Sequence, residues 1–206
     1  MMKIIVFGAT GGVGKSVVQQ GIDAGLEVTA FVRTPARLEI THKNLNVIQG
    51  DAFNKEEVSE AISNHDVVVS CLGSSKGMKK SAELQNMTKH IVEGMKEHNV
   101  DRIVYTASAG VHKELTGIMG KVIMQLLKNP LIDHRAAVEH IQNAGLNYTI
   151  VRPMGLSDKE FTGEYREAVS GVPDKSSSIP RADVADCIIK VLTDSSYENT
   201  SIGLAT

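Results

Sequence analysis

The sequence predicts a doubly wound α/β fold, a single domain built on one parallel sheet with helices on both faces. Three observations point to it. Short apolar runs rich in Val and Ile alternate with helical patterns along the chain. The runs lack polar alternation, as parallel strands covered on both faces do. The connections are short, as in right-handed strand–helix–strand units.

The elements follow in order. Ile4 to Phe7 is the first strand, and Val13 to Ala24 the first helix, stopped at Gly25. Val28 to Val32 and Asn46 to Gln49 are strands, then Lys55 to Ser63 is a helix ending at Asn64. Val67 to Cys71 is the fourth strand, Ser81 to His98 a long helix, and Arg102 to Thr106 the fifth strand. Leu115 to Leu127 and Asp133 to Ala144 read as helices, with Gly145 as the stop before the strand Tyr148 to Val151. Residues 155–178 break the alternation and read as a small excursion on the substrate side. A last helix, Arg181 to Leu192, is opened by Pro180 and carries Asp183 in its first turns. The softest segments are Gly73 to Lys80, Gly110 to Lys113 and Lys175 to Ser178.

Composition narrows the function. A chain of 206 residues fits one domain. At that size folding hides about 70% of the unfolded surface, so no disulfide or structural metal is needed. Twenty-two basic and 24 acidic residues are intermixed, for a net charge of -2, which argues against a nucleic-acid or membrane partner. Aromatics are 4% and Trp is absent, too few for a base-stacking platform. Cys71 and Cys187 share no pattern and read as free thiols of a reducing compartment. The chain begins directly with a strand and has no apolar run of membrane-spanning length, so a cytoplasmic protein is expected. His42, His65, His90, His98 and His140 have no metal-ligand spacing, so no metal is expected. Monomer and homodimer both stay open.

The chemistry starts at Gly8-Ala9-Thr10-Gly11-Gly12-Val13-Gly14, directly after the first strand and opening the first helix. The spacing is Gly-x-x-Gly-x-x-Gly. Gly8 allows a tight turn, Gly11 lets a pyrophosphate approach the backbone, and Gly14 lets the helix pack on the strand. The helix N-terminus supplies free N–H groups to phosphate. This is the Rossmann signature of dinucleotide binding. A decoy overlaps it: Ala9 to Ser16 nearly matches a P-loop, with Lys15 and Ser16 in place. Its first glycine is missing, however, and no later strand ends in an acid suited to Mg²⁺.

The second strand ends in Phe31-Val32-Arg33-Thr34-Pro35-Ala36-Arg37. An NAD site usually places Asp or Glu here, for the ribose hydroxyls. Arg33, with Arg37 one turn on, suits a 2′-phosphate instead, so NADP(H) is preferred and NAD(H) is possible. Asp51, after the third strand, reads equally as an acceptor for the adenine amino group or as a helix N-cap. The fourth strand ends at Leu72-Gly73, where the switch-point rule places the ribose.

With these residues in hand, the chain resembles the atypical short-chain dehydrogenase/reductase family, of the flavin reductase (biliverdin-IXβ reductase) type. The resemblance covers nearly the whole chain. It rests on the glycine turn, Val32 to Leu38, Gly50 to Phe53, Leu72-Gly73, Thr106 to Gly110, Gly145 to Pro153, Thr162 to Tyr165 and Arg181 to Asp186. It implies a nicotinamide near Ser108 and Ala109, with Pro153 and Met154 on its far side. It also implies catalytic roles for Ser108, as a hydroxyl that orients a carbonyl or carboxamide, and for His134, which steadies the ribose or relays a proton. The cofactor-binding set on this reading is Gly8, Thr10, Gly11, Gly12, Val13, Gly14, Arg33, Arg37, Asp51, Ala52, Leu72, Gly73, Ser108, Ala109, Pro153 and Met154.

Two departures stand out. The Tyr-x-x-x-Lys of ordinary members is absent, and its places are taken by Pro130 and His134. Met154 stands where the flavin reductase type carries a histidine. A site without a tyrosine acid suits planar acceptors, such as flavins, quinones or linear tetrapyrroles, that draw protons from solvent. The expectation is therefore an NADPH-dependent reductase of such an acceptor. The alternatives are a non-catalytic redox sensor that binds NADP(H) and, more weakly, a nucleotide-sugar epimerase-like enzyme. His112 reads as exposed, or as reaching the substrate side. The apolar face of Ile118, Met119, Val122, Ile123, Met124, Leu126 and Leu127 reads as core or dimer packing, or as a lid.

Overall fold

A computed structural model describes residues 1–175 and 178–206. Its main sheet has eight strands in the order β3-β2-β1-β4-β5-β6-β10-β8. These are β1 (Lys3–Phe7), β2 (Glu27–Val32), β3 (Leu45–Gln49), β4 (Val67–Ser70), β5 (Arg102–Thr106), β6 (Asn147–Pro153), β8 (Arg166–Ala168) and β10 (Thr200–Ala205). From β1 the chain first winds outward to β3. It then returns beside β1 as β4 and winds the other way, which creates a crevice between the carboxyl ends of β1 and β4.

Among the described residues, six helices surround the sheet: α1 (Gly12–Asp23), α2 (Lys55–Ile62), α3 (Glu83–Glu97), α4 (Gly117–Leu126), α5 (Lys128–Gln142) and α6 (Arg181–Thr193). Strand β1 shows how the layers form, because its successive side chains point to opposite faces. Ile4 and Val6 join the core under α1 and α6, while Ile5 and Phe7 join the core under α2, α3 and α5. Gly25, Asn64 and Gly145 all adopt positive φ where the expected helices stop.

Several expectations need correction. Strand β10 was not foreseen, because Thr200–Ala205 is a short run broken by Gly203 with little Val or Ile. At Gly203 a side chain would lie 2.7 Å from the Gly171 carbonyl, so the residue that hides the strand signal is required by packing. The sheet is not wholly parallel, since β8 pairs antiparallel with β10. Edge strand β3 is only partly covered, with Val47 exposed. Helix α5 starts at Lys128, ahead of the expected Asp133, because Pro130 is tolerated in a first turn. The excursion contains β7 (Gly155–Ser157), which pairs with β9 (Ser178–Pro180). Within the soft segment Lys175 to Ser178, residues 176–177 lie outside the described ones.

The loop 74–76, part of another expected soft segment, is tied down. The Glu83 carboxylate accepts from the Ser75 amide at 2.6 Å and from the hydroxyls of Ser75 and Ser74. Among the described residues, no helix is long and apolar enough to cross a membrane.

Candidate dinucleotide site

The crevice begins with backbone geometry. Gly8 adopts φ +80°, and a Cβ there would sit 2.5 Å from the Cys71 carbonyl of the neighbouring strand end. A Cβ on Gly14 would overlap the Gly8 carbonyl, so helix and strand approach as closely as two backbones can. At Gly11 the one close neighbour of an added Cβ among the described residues is the Gly8 carbonyl, at 3.2 Å. Gly11 is also the N-cap of α1, in extended geometry and without a side-chain hydrogen bond, and the first turn has no acid. The first turn of α1 thus has no side-chain cap and no acid among the described residues, as an anion site requires.

A cleft of about 320 Å³ opens beside this turn. Of the residues expected to bind cofactor, Gly8, Thr10, Gly11, Arg33, Arg37, Asp51, Ala52, Leu72 and Gly73 line it. Arg33 and Arg37 are exposed, and neither guanidinium has an ion-pair partner among the described residues. Asp51 is not the cap of α2. Asn54 fills that place and accepts from the Glu56 and Glu57 amides, while the Asp51 carboxylate accepts from the Phe53 amide, at 3.1 Å. Sequence reasoning missed Phe53, Ser74, Ser75, Glu83 and Met87 in the lining. Phe53, 43% exposed in a chain with four Phe, carried the one available signal. Cys71 also lines the cleft, and burial pushes its thiol up to about 12, so it is an inert wall.

The P-loop alternative has no support here. Lys15 pairs with Glu39 at 3.1 Å, and the Ser16 hydroxyl bonds back to the Gly12 carbonyl within the helix.

Gly12, Val13, Gly14, Ser108, Ala109, Pro153 and Met154 lie outside the lining of the cleft. The last four are nevertheless brought together. The Ala107 amide donates to Val151, that of Ala109 to Pro153, and that of Met154 to Leu204, so β5, β6 and β10 end side by side. The half-buried Ser108 hydroxyl makes only a local contact, 3.2 Å to the Ala109 carbonyl. His134 lies 3.1 Å from the Tyr105 hydroxyl through Nδ1. Burial pulls the His134 ring down to about 4, against a small upward pull from Asp133, so the ring is neutral. Burial also pushes the Tyr105 phenol up. The pair is uncharged at neutral pH, and Tyr105 is not a ready acid. His112 is exposed and 2.9 Å from the Ser201 hydroxyl through Nε2. On α4, Ile118 is 86% and Met119 71% exposed, so this face is not core of the chain. Among the described residues, no group of three or more His, Cys, Asp or Glu is placed to hold a metal.

Fold and crevice together define a Rossmann-type dinucleotide-binding protein. More particularly, the chain belongs to the NAD(P)H-binding family, whose sequence pattern matches residues 8–195. It is 28% identical over 189 residues to Protein TIC 62, chloroplastic, of Arabidopsis thaliana, a match that covers 80% of this chain. The chain spans only 28% of that protein, and 61% of another chloroplastic Arabidopsis relative. A short-chain dehydrogenase/reductase from Veillonella parvula, solved in complex with NADP, superposes with a TM-score of 0.85 at 22% identity, covering 100% of this chain and 94% of that one. ChuY from Escherichia coli O157:H7, described as an anaerobilin reductase, gives 0.79 at 19% identity, covering 98% and 97%. At those identities the likeness is one of fold.

Proposed function

We propose that the protein is an NADPH-dependent reductase that passes a hydride to a planar acceptor of the flavin, quinone or tetrapyrrole kind. One observation carries this reading. On one side the crevice joins an anion site at α1 to two arginines that have no ion-pair partner among the described residues. On the other, the ends of β5 and β6 offer the Ser108 hydroxyl, which is engaged locally with the Ala109 carbonyl. Bound here, NADPH supplies the hydride. The residues do the rest. The α1 amides take the pyrophosphate, Arg33 and Arg37 take the 2′-phosphate, and Ser108 orients a carbonyl or carboxamide. Neutral His134, paired with the Tyr105 hydroxyl, is not an imidazolium acid at neutral pH. With Pro130 in place of a tyrosine, the acceptor draws its proton from solvent.

The test is NADPH oxidation by purified protein against FMN, riboflavin, simple quinones and biliverdin, with NADPH affinity measured in parallel. Turnover with one acceptor class is the expected outcome. Tight NADPH binding without turnover across the panel contradicts the reductase and favours a sensor of the NADP(H) redox state.

A further inference from the structure

We propose that Arg181 is a ligand for the pyrophosphate and that Asp158 competes with the phosphate for its guanidinium, so that phosphate binding frees the loop 158–161. This rests on the dinucleotide reading above. Arg181 is the first residue of α6, which packs beside α1, and the Gln20 side chain of α1 donates to the Ala182 carbonyl. The Arg181 side chain lies across Gly12. A Cβ on Gly12 would overlap the Arg181 Cδ and lie 2.7 Å from its Nε. Gly12 is the first residue of α1, within the anion site itself. The Arg181 side chain thus occupies the space over Gly12, at the place where phosphate is expected, and any side chain at position 12 would have to push it aside.

The current partner of this guanidinium is Asp158, at 2.5 Å, with side chains 30% exposed on Arg181 and 90% on Asp158. So exposed a pair shifts an equilibrium by less than about fivefold. A phosphate offers more, since it accepts two parallel N–H bonds and sits in the favourable field of the α1 N-terminus. The loop around Asp158 is built for exchange. Ser157 is fixed by pairing with Pro180. Beyond the loop, the fully buried Asp183 carboxylate accepts from the Thr162 and Gly163 amides and the Thr162 hydroxyl. Only residues 158–161 lie between these anchors, and they carry Phe161, a 55% exposed aromatic. Releasing Asp158 changes the surface that this loop presents.

The experiment is calorimetric titration of wild type, Arg181→Gln, Asp158→Asn and the double variant with NADP⁺ and with 2′-AMP, which lacks the pyrophosphate. Thermal melts check that each variant folds. Arg181→Gln is expected to weaken NADP⁺ binding about tenfold or more and to leave 2′-AMP unchanged. Asp158→Asn should tighten NADP⁺ binding by up to about threefold, and have no effect once Arg181 is gone. Unchanged NADP⁺ affinity in Arg181→Gln, or equal losses for both ligands, overturns the phosphate role. An Asp158→Asn variant indistinguishable from wild type overturns the exchange. A wild type that binds neither NADP⁺ nor NAD⁺ fails at the dinucleotide reading itself, an outcome distinct from all of these.

Discussion

The two halves of the sheet's carboxyl edge are built by different means. Around β1 and β4 the crevice is made of backbone: a positive-φ glycine, a helix seated on a bare Cα, and strand ends that meet carbonyl to Cα. Its basic side chains, Arg33 and Arg37, stand at the surface. Around β6 and β10 the edge is held by side chains that pair over long stretches of chain. Arg152 is buried and bonds to Glu114, the Ser201 hydroxyl and the Gly171 carbonyl. Asp183 grips Thr162 and Gly163. The first half presents one fixed mould for a common ligand. The second is assembled from buried side-chain pairs that tie distant loops together, and those loops are where an acceptor-specific surface is expected.

The comparison breaks most sharply at the glycines. Gly14→Val drives a branched side chain into the Gly8 carbonyl. It should cost about 3 kcal/mol or more, seen as loss of the folded state or a large drop in melting temperature. A mild effect would mean that the crevice is not backbone-limited.

The next largest effect is on pH. His134 is neutral in the fold with its pKa near 4, while the unfolded ring titrates near 6.5. The unfolded state therefore binds more protons between these values. This contribution is fully present above pH 6.5 and is lost as pH falls toward 4, by up to about 3 kcal/mol. His134→Gln should flatten that part of the stability–pH curve; an unchanged slope removes His134 as its source.

A smaller effect falls on chemistry alone. Ser108→Ala should lower turnover about tenfold while cofactor affinity stays within a few-fold. Unchanged turnover takes Ser108 out of the site.

The sequence was readable where physics is local. Six strands, the glycine turn and the arginines after β2 follow from runs, spacing and neighbours. The C-terminal strand was not, because the packing that requires Gly203 also removes the apolar signal. Glu83, Ser74 and Ser75 join the cleft through a contact across a loop and a helix start, which no spacing announces. Arg181 was legible only as part of a helix opening; its seat on Gly12 depends on how α1 and α6 meet. The apolar run of α4 shows the limit from the other side, since periodicity finds such a face without telling whether anything covers it.

The central claim is that the arginines after β2 read a 2′-phosphate in a real dinucleotide site. The direct measurement is the affinity of wild type and Arg33→Ala for NADPH and NADH. The account predicts that wild type prefers NADPH and that the variant loses about 2 kcal/mol of NADPH binding while NADH binding barely changes. Equal losses for both cofactors, or no preference in the wild type, would contradict it.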